Sequence, residues 1–371
     1  MKFICLQQNL KEGLSKVTKA VATRTTMPIL SNVYISAESG SLKLAASNME
    51  TTIVTWVGAK VEEEGQITIP AKLFFEFINS LREGTVNGQN EGDNLKIVAE
   101  NAKSTFNGTS ADEFPSLPLL QEQSLFKLNP EVFEESVRKV AFASAIDDSR
   151  PVLTGVLFSV DKDEAFMVGV DGFRLSEIKF KIENTVESGT KFIVPAKTLI
   201  DASKLMVSSN EVVSVALLQD KNQILFQSSE QIVSSRLIDG EFPNYKQIIP
   251  NAHKTTAKFT SDDFQNAVKL ASIFAKDSAK IIRMAVDTKN QEITIFSNTA
   301  DIGDNETKFK AEVKGDDLEV AFNSRYVIEM LNNIVTEEFM FESEGSINPC
   351  VFKPVGQKDF LHIVMQVRLN G

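Results

Sequence analysis

The chain has 371 residues and a net charge of −11, and hydrophobic residues make up 42% and charged residues 24% of it. This is the composition of a soluble globular protein of two or three domains, and it excludes a disordered or fibrous chain. The longest stretch without a charge, residues 25–37, is too short and too polar to span a bilayer, so no membrane association is expected.

The first strand, near residue 3, is followed by a segment whose apolar residues recur at i, i+4 and i+7, as on one face of a helix. The same pattern returns twice, so that the three segments are residues 10–17, 133–140 and 264–271.

Four consecutive apolar residues at the start, residues 3–6, are too few for a signal peptide. The two cysteines cannot form a disulfide framework, and they fit a reducing cytoplasm.

A second set of three segments repeats with nearly the same period. Each is a β-rich run that ends in Pro or Asn, followed by a cation in the first turn of an amphipathic helix, and the segments are residues 67–75, 192–200 and 320–328. Alternating runs between the helices, at 41–46, 155–160 and 292–296, predict strands. The dipeptides Phe114-Pro115 and Phe242-Pro243 close the first two repeats.

The sequence therefore predicts an α+β fold made of three copies of one unit, each with β-sheets and two helices. The expected domains are residues 1–122, 123–251 and 252–371.

Charge is distributed unevenly over this pattern. The predicted helices, 8–20, 71–82, 130–143, 196–208, 261–275 and 324–334, carry an excess of two positive charges, whereas the rest of the chain is acidic. Lys72, Lys197 and Arg325 occupy equivalent positions in the three repeats. They are either ordinary solvated side chains or one row of cations that faces a common axis and contacts nucleic-acid phosphates without reading bases.

The size of the repeat decides how such a row could enclose DNA. A unit of this length has a diameter of about 35 Å, so three touching units leave a gap of about 5 Å and six in a ring leave about 35 Å. The groove depths of duplex DNA sum to about 16 Å, which exceeds the first gap and fits the second. Two chains related by rotation are therefore needed to encircle a duplex.

Over its full length the sequence resembles the bacterial DNA polymerase III beta subunits, the sliding clamp family. The segments that carry the resemblance are residues 1–3, Arg24 with 28–30, and residues 69–75, 150–156, 170–175, 194–197, 239–245 and 364–369. The resemblance implies a head-to-tail homodimer that forms a six-domain ring around duplex DNA, with helices facing a central hole and sheets outside. It also implies a non-catalytic processivity factor with a clamp loader and replicative and other DNA polymerases as partners.

The resemblance implies that five basic residues face the hole, and they are Arg24, Lys72, Arg150, Lys197 and Lys204. Arg325, which occupies the repeated cation position, is predicted to contact DNA as well. The family's partner-peptide pocket corresponds to Leu153, Val170, Gly172, Phe173, Arg174, Leu175, Pro243, Ile248, Val364, Met365, Val367 and Arg368. Such a pocket would accept a short peptide bearing Leu and Phe. The alternatives are a tight turn at Asp171-Gly172 and a closing core strand at Met365 and Val367.

The resemblance also points to a dimer contact formed by Phe106 with Ile273 and Phe274, for which plain core burial is the alternative. Three departures concern the pocket and the chain end. Gln366 stands where the family commonly has Pro, Phe173 stands where His is frequent, and Asn370-Gly371 extends the usual end.

No motif predicts catalysis or a cofactor. The two histidines, His253 and His362, lack partners at metal-ligand spacing, and no phosphate-binding loop of the G-x-x-x-x-G-K-[ST] type occurs. The alternative functions are a three-repeat scaffold without a role on DNA and an enzyme with sites at the repeat interfaces.

Overall fold

A computed structural model describes residues 1–38, 40–275, 279–299 and 303–368. The chain divides into two compact units. Unit 1 comprises Met1–Glu134, Ile182–Asn184 and Asp201–Leu237, and unit 2 comprises Glu135–Lys181, Thr185–Ile200 and Ile238–Gly371.

Helices form at the six predicted places. Within the described residues they are α1 (Gln7–Val17), α2 (Ala71–Ser80), α3 (Pro130–Ala141), α4 (Ala196–Ser209), α5 (Ser261–Phe274) and α6 (Ser324–Asn333). The predicted charge excess on the helices is wrong, because Lys19 and Arg82 lie beyond the ends of α1 and α2 and the remaining helical charges balance. Lys19 falls in a short 3-10 helix, Thr18–Ala20, and the backbone after α2 is extended from Leu81.

Polar caps or prolines mark where five of these six helices begin, α1 being the exception. The Asn129 side chain accepts hydrogen bonds from the backbone N–H groups of the first turn of α3, and Thr260 does the same for α5. Asn323 caps α6 by accepting from the backbone N–H of Arg325. Pro70 and Pro195 directly precede α2 and α4. The cation of the repeated pattern is therefore the second residue of α2, α4 and α6.

Strands make up most of the remaining structure. In chain order they are β1 (Lys2–Leu6), β2 (Asn32–Glu38), β3 (Ser41–Ser47), β4 (Thr51–Glu63), β5 (Gly65–Pro70), β6 (Thr85–Glu91), β7 (Asn94–Ala99), β8 (Ala102–Asn107), β9 (Phe126–Leu128), β10 (Gly155–Val170), β11 (Arg174–Pro195), β12 (Val213–Leu218), β13 (Gln223–Gln227), β14 (Gln231–Arg236), β15 (Thr255–Thr260), β16 (Ile281–Asp287), β17 (Glu292–Thr299), β18 (Gly303–Lys310), β19 (Glu312–Gly315), β20 (Leu318–Asn323), β21 (Glu338–Ser343), β22 (Cys350–Pro354) and β23 (Phe360–Val364).

The sheets of unit 1 are antiparallel. Strands β8, β7, β6, β1 and β4 pair in succession, and β4 also pairs with β3 and β14. From β14 the pairing continues through β13 and β12 to β9. The core includes Tyr34 and Phe114, whose ring centroids are 5.4 Å apart, so the first Phe-Pro dipeptide anchors the end of its repeat.

Unit 2 contains two antiparallel sheets. In one, β10, β11, β23, β22, β21, β15 and β19 pair in succession, and in the other the order is β18, β17, β16 and β20. Its core includes Tyr245, and Phe242 of the second Phe-Pro dipeptide packs against it at 6.4 Å between ring centroids. This sheet places the start of β11 beside the end of β23, and most of the predicted pocket residues lie in these two strand ends or within four residues of them.

In the described part of the chain, no helix combines the length and the apolar character needed to cross a membrane.

Candidate functional site

The turn between β10 and β11 sets two side chains in opposite directions. One carboxylate oxygen of Asp171, Oδ1, accepts hydrogen bonds from the backbone N–H groups of Phe173 at 2.9 Å and Arg174 at 3.0 Å. Gly172 between them has φ +92°, a conformation that favours glycine. Phe173 is 59% exposed, whereas Arg174 is 3% exposed. The tight turn and the predicted pocket are therefore compatible.

Arg174 lies between two aromatic rings below the surface. Its guanidinium carbon is 5.3 Å from the ring centre of Phe142 and 4.9 Å from that of Tyr326. Its Nε donates to Asp171 Oδ2 at 3.0 Å, and its Nη1 lies 2.5 Å from Glu329 Oε2. A buried guanidinium that contacts two carboxylates and two rings places a positive charge beneath whatever binds above it.

An aromatic surface extends from this arginine towards solvent. The rings of Phe173 and Tyr326 stack with centroids 5.8 Å apart and planes 16° from parallel. Phe142, Tyr326 and Glu329 were missed by sequence reasoning, since nothing near them in the chain connects them to the turn at Gly172.

The end of β23 runs along the same place. Val364 pairs with Arg174 and is buried, which fits a core position. Met365 and Val367 follow the end of the strand and are half-buried. The backbone N–H of Met365 donates to the Phe173 carbonyl at 2.8 Å, and that of Val367 donates to the Ala321 carbonyl at 2.9 Å. The interpretation of Met365 and Val367 as a closing core strand is therefore wrong.

An apolar cluster underlies these residues. Leu153, Val170 and Leu175 belong to it, all buried, and half-buried Met365 packs against it. Pro243 and Ile248 are exposed on the nearby segment that contains buried Tyr245, and Arg368 is also exposed. The predicted pocket residues thus divide into a buried floor and an accessible surface formed by Gly172, Phe173, Pro243, Ile248, Met365, Val367 and Arg368.

Gln366 ties the terminal segment to a neighbouring loop. Its side-chain Nε2 donates to the carbonyls of Gly345, at 3.0 Å, and Asn348, and it lies 3.1 Å from Cys350 Sγ. Proline at this position could not make these contacts.

A groove that the sequence did not predict adjoins the cluster. It has a volume of about 240 Å³, and the half-buried Ile249 and Leu361, which pack against the cluster, line it together with Val351. An ion pair of 2.7 Å between Lys353 and Glu342 also lies in its wall.

All six predicted DNA-contacting cations are exposed, and they are Arg24, Lys72, Arg150, Lys197, Lys204 and Arg325. Arg24 and Arg150 occupy similar places, because each precedes a short 3-10 helix, Pro28–Ser31 or Pro151–Thr154, that leads into a strand. Arg325 is held by Glu329, with 2.7 Å between its Nε and Glu329 Oε1, and this hydrogen bond raises the pKa of the guanidinium.

The three residues predicted for the dimer contact differ in exposure. Phe106 is 6% exposed and packs edge-on against Phe74 and Phe77, so core burial describes it within one chain. Ile273 near the end of α5 is 54% exposed and Phe274 is half-buried.

Both cysteines are buried. Burial raises the pKa of the Cys5 thiol and of the Cys350 thiol to about 12. Within the described ranges, no three His, Cys, Asp or Glu side chains gather in a way that could hold a metal ion.

Comparisons with known proteins agree along the whole chain. Models of the N-terminal, central and C-terminal domains of the DNA polymerase III beta subunit match residues 1–118, 127–244 and 246–368. The beta sliding clamp of Synechococcus elongatus is 31% identical over 377 residues, and the match covers all of both chains.

Solved structures agree on the fold. The crystal structure of the Bacillus subtilis DNA polymerase sliding clamp has a TM-score of 0.93 at 26% identity, and the match covers 100% of this chain and 99% of that one. The Pseudomonas aeruginosa sliding clamp bound to griselimycin has a TM-score of 0.93 at 25% identity, with both chains fully covered. These matches confirm the predicted three-domain α+β clamp fold. The chain therefore belongs to the beta sliding clamp family, the non-catalytic processivity clamps of bacterial DNA polymerase III.

Proposed function

We propose that two copies of this chain form a closed ring around duplex DNA and tether DNA polymerases to it through the pocket at Phe173 and Met365. A clamp loader opens the ring, and the protein acts in the cytoplasm. The domains of each copy are residues 1–122, 123–251 and 252–371, which the three matched family segments support.

The observation that carries the proposal is the repeated position of exposed cations in a chain of this family. Lys72, Lys197 and Arg325 are each the second residue of the second helix of a repeat. Cations spaced by a structural repeat suit phosphates, which are themselves spaced regularly and carry no sequence information. The whole chain carries a net charge of −11, so the rest of the protein surface repels DNA.

The pocket supports a peptide partner. An exposed phenylalanine, a half-buried methionine and an underlying aliphatic cluster offer adaptable apolar contacts, and the buried Arg174 offers a charge below them. DNA polymerases are the expected partners, since the matched structures are named DNA polymerase sliding clamps. Retention on DNA then comes from ring closure, while weak phosphate contacts permit sliding.

Sedimentation tests the assembly. We expect a mass near twice 41.0 kDa, and a monomer at all accessible concentrations would refute the ring. Substitution of Ile273 by Asp should shift the mass towards the monomer, because a charge cannot be buried unpaired in an apolar contact.

Retention on DNA tests the cations. The protein loaded on nicked circular DNA should remain bound through gel filtration and leave when the circle is cut. We expect weaker duplex binding from the triple variant Lys72→Glu, Lys197→Glu, Lys204→Glu. The slope of log affinity against log salt concentration should become shallower by about one for each phosphate that the variant no longer neutralises.

A matched control carries the same charge change on strands. Lys103, Lys181 and Lys314 are exposed on β8, β11 and β19, and their triple replacement by Glu should leave the salt slope unchanged. Equal weakening by both triples would refute the assignment of the helix cations. Arg325 is left intact in this test because it is paired with Glu329.

A further inference from the structure

Glu329 is a carboxylate that contacts two arginines, one exposed and one buried. It lies on α6, one turn after Arg325, and its Oε1 accepts from Arg325 Nε at 2.7 Å. Its other oxygen, Oε2, lies 2.5 Å from Nη1 of Arg174. Arg325 is exposed at the start of a helix, whereas Arg174 is buried beneath Phe173 and Tyr326.

The carboxylate satisfies its two partners unequally. The contact with Arg325 has hydrogen-bond geometry. The contact with Arg174 is an ion pair of 2.5 Å between Nη1 and Oε2, and its geometry departs from that of an aligned hydrogen bond. A buried guanidinium N–H without an aligned acceptor is costly, so Arg174 would gain from any change that frees Glu329 to turn towards it.

Glu329 is ionised in this arrangement. Desolvation opposes its charge, but the hydrogen bond from Arg325 and the charge of Arg174 lower the pKa of the carboxyl below its usual range. Near neutral pH it therefore acts on both arginines as a full negative charge.

We propose that Glu329 is a positioning residue that couples phosphate binding at Arg325 to peptide binding above Arg174. The inference rests on the proposed function, since it needs Arg325 to meet phosphate and the pocket to meet a peptide. When a DNA phosphate takes Arg325, both oxygens of Glu329 become available to Arg174, whose planar fork favours bidentate pairing. Arg174 is then held more firmly, and the peptide has less disorder to remove on binding.

The sign of the coupling follows. DNA in the ring tightens the binding of partner peptides, and by linkage a bound peptide tightens the contact with DNA by the same factor. A clamp on DNA would in this way attract partners better than a free clamp. The effect expected for one shared carboxylate is roughly threefold, at the lower end of known couplings.

The test measures peptide affinity with and without DNA on the full-length protein. The probe is a fluorescein-labelled synthetic peptide containing Leu and Phe, followed by fluorescence anisotropy, with a short linear duplex in excess at low salt. The wild-type protein should bind the peptide roughly threefold more tightly when the duplex is present. Glu329→Gln should abolish this response, because an amide cannot act as the shared anion.

Two further variants separate coupling from a general structural effect. Arg325→Met keeps the aliphatic stem and removes the competing cation, so it should bind the peptide as tightly without DNA as the wild type does with it. Glu12→Gln on α1 is the matched control, since Glu12 also pairs with a cation one turn away, Lys16 at 2.9 Å, but contacts no buried arginine. It should respond to the duplex as the wild type does.

The outcomes distinguish this inference from the proposed function. If wild-type protein binds both probes and the duplex leaves its peptide affinity unchanged, or if Arg325→Met still responds to the duplex, the coupling is refuted and the proposed function stands. If the peptide or the duplex does not bind at all, the proposed function fails and the coupling with it.

Discussion

His362 and Ser176 face each other on the neighbouring strands β23 and β11, with 2.6 Å between His362 Nδ1 and Ser176 Oγ. The imidazole is completely buried, and its ring centre lies 5.2 Å from that of Phe142. Phe142 in turn lies against Arg174, so the histidine belongs to the layer that supports the pocket. Burial, together with the charge of Arg174, lowers the pKa of His362 to about 3.

This histidine makes stability depend on pH. The folded state keeps His362 neutral down to about pH 3, whereas the unfolded chain takes up a proton near its ordinary value of about 6.5. The free energy of unfolding should therefore fall as the pH drops below about 6.5, by up to about 1.4 kcal/mol per pH unit, until the folded state also protonates.

Urea unfolding at about pH 7.5 and about pH 5 measures this effect. Wild-type protein should lose about 2 kcal/mol between the two values from this residue alone. His362→Gln should lower stability at the higher pH and remove that part of the loss. His253→Gln, at an exposed position, is the control and should keep the full dependence. A loss of the same size in His362→Gln and in the wild type would contradict the assignment.

Sequence reasoning predicted the helices and the repeat because both depend on local pattern. The spacing of apolar residues and the residue before each helix, Pro70, Pro195 or Asn323, are sufficient to place α2, α4 and α6. The charge excess on the helices failed because it depended on Lys19 and Arg82, and pattern alone does not fix a helix end to within a turn.

The candidate site was only partly predictable. The resemblance to the family predicted the pocket residues at the turn between β10 and β11 and after β23. It did not predict which of their side chains are exposed to solvent. From the sequence alone, Arg325 and Glu329 would be interpreted as an ordinary ion pair one turn apart on a helix. The contact with Arg174 joins residues far apart in the chain, and only the pairing of β11 with β23 and the placement of α6 bring them together.

The division of the pocket into floor and accessible surface predicts two different mutant behaviours. Phe173→Ala removes an exposed ring that stacks on Tyr326, so it should weaken binding of the labelled Leu- and Phe-containing peptide about tenfold while changing the free energy of unfolding by less than about 1 kcal/mol. Leu175→Ala empties a buried position and should lower the free energy of unfolding by about 2–4 kcal/mol.

Anisotropy titrations and urea unfolding of both variants distinguish the two roles. Val212→Ala, at an exposed apolar residue outside the predicted pocket, is the control for Phe173→Ala and should leave peptide binding unchanged. Equal peptide affinity in Phe173→Ala and the wild type would remove Phe173 from the binding surface.

Gly169 is required by a close approach in the strand that leads to the turn. A Cβ at this position would lie 2.4 Å from the backbone carbonyl oxygen of Val140 at the end of α3. Since a backbone atom cannot move aside as a side chain can, Gly169→Ala should lower the free energy of unfolding by about 1–3 kcal/mol. Gly58→Ala in β4 is the matched control, because nothing lies within 4 Å of its added Cβ.

Thermal unfolding of these two variants gives the comparison. Gly58→Ala should be neutral or slightly stabilising, because it lowers the entropy of the unfolded chain. If Gly169→Ala unfolds at the same temperature as the wild type, α3 and β10 are not packed as closely as the structure has them.

The two cysteines should be unreactive in the folded protein. Both are buried, and burial raises the pKa of each thiol to about 12. The thiolate is the reacting species, and little of it forms at neutral pH under these conditions. Treatment with a thiol reagent such as dithiobisnitrobenzoate should therefore label both cysteines at a rate set by unfolding, and both at once in denaturant.

Because Cys350 contacts Gln366 through Sγ, Gln366→Ala should speed labelling of Cys350 and leave the labelling rate of Cys5 unchanged. Equal acceleration at both cysteines would point to global destabilisation and contradict a local role for Gln366 in closing the chain end over β22.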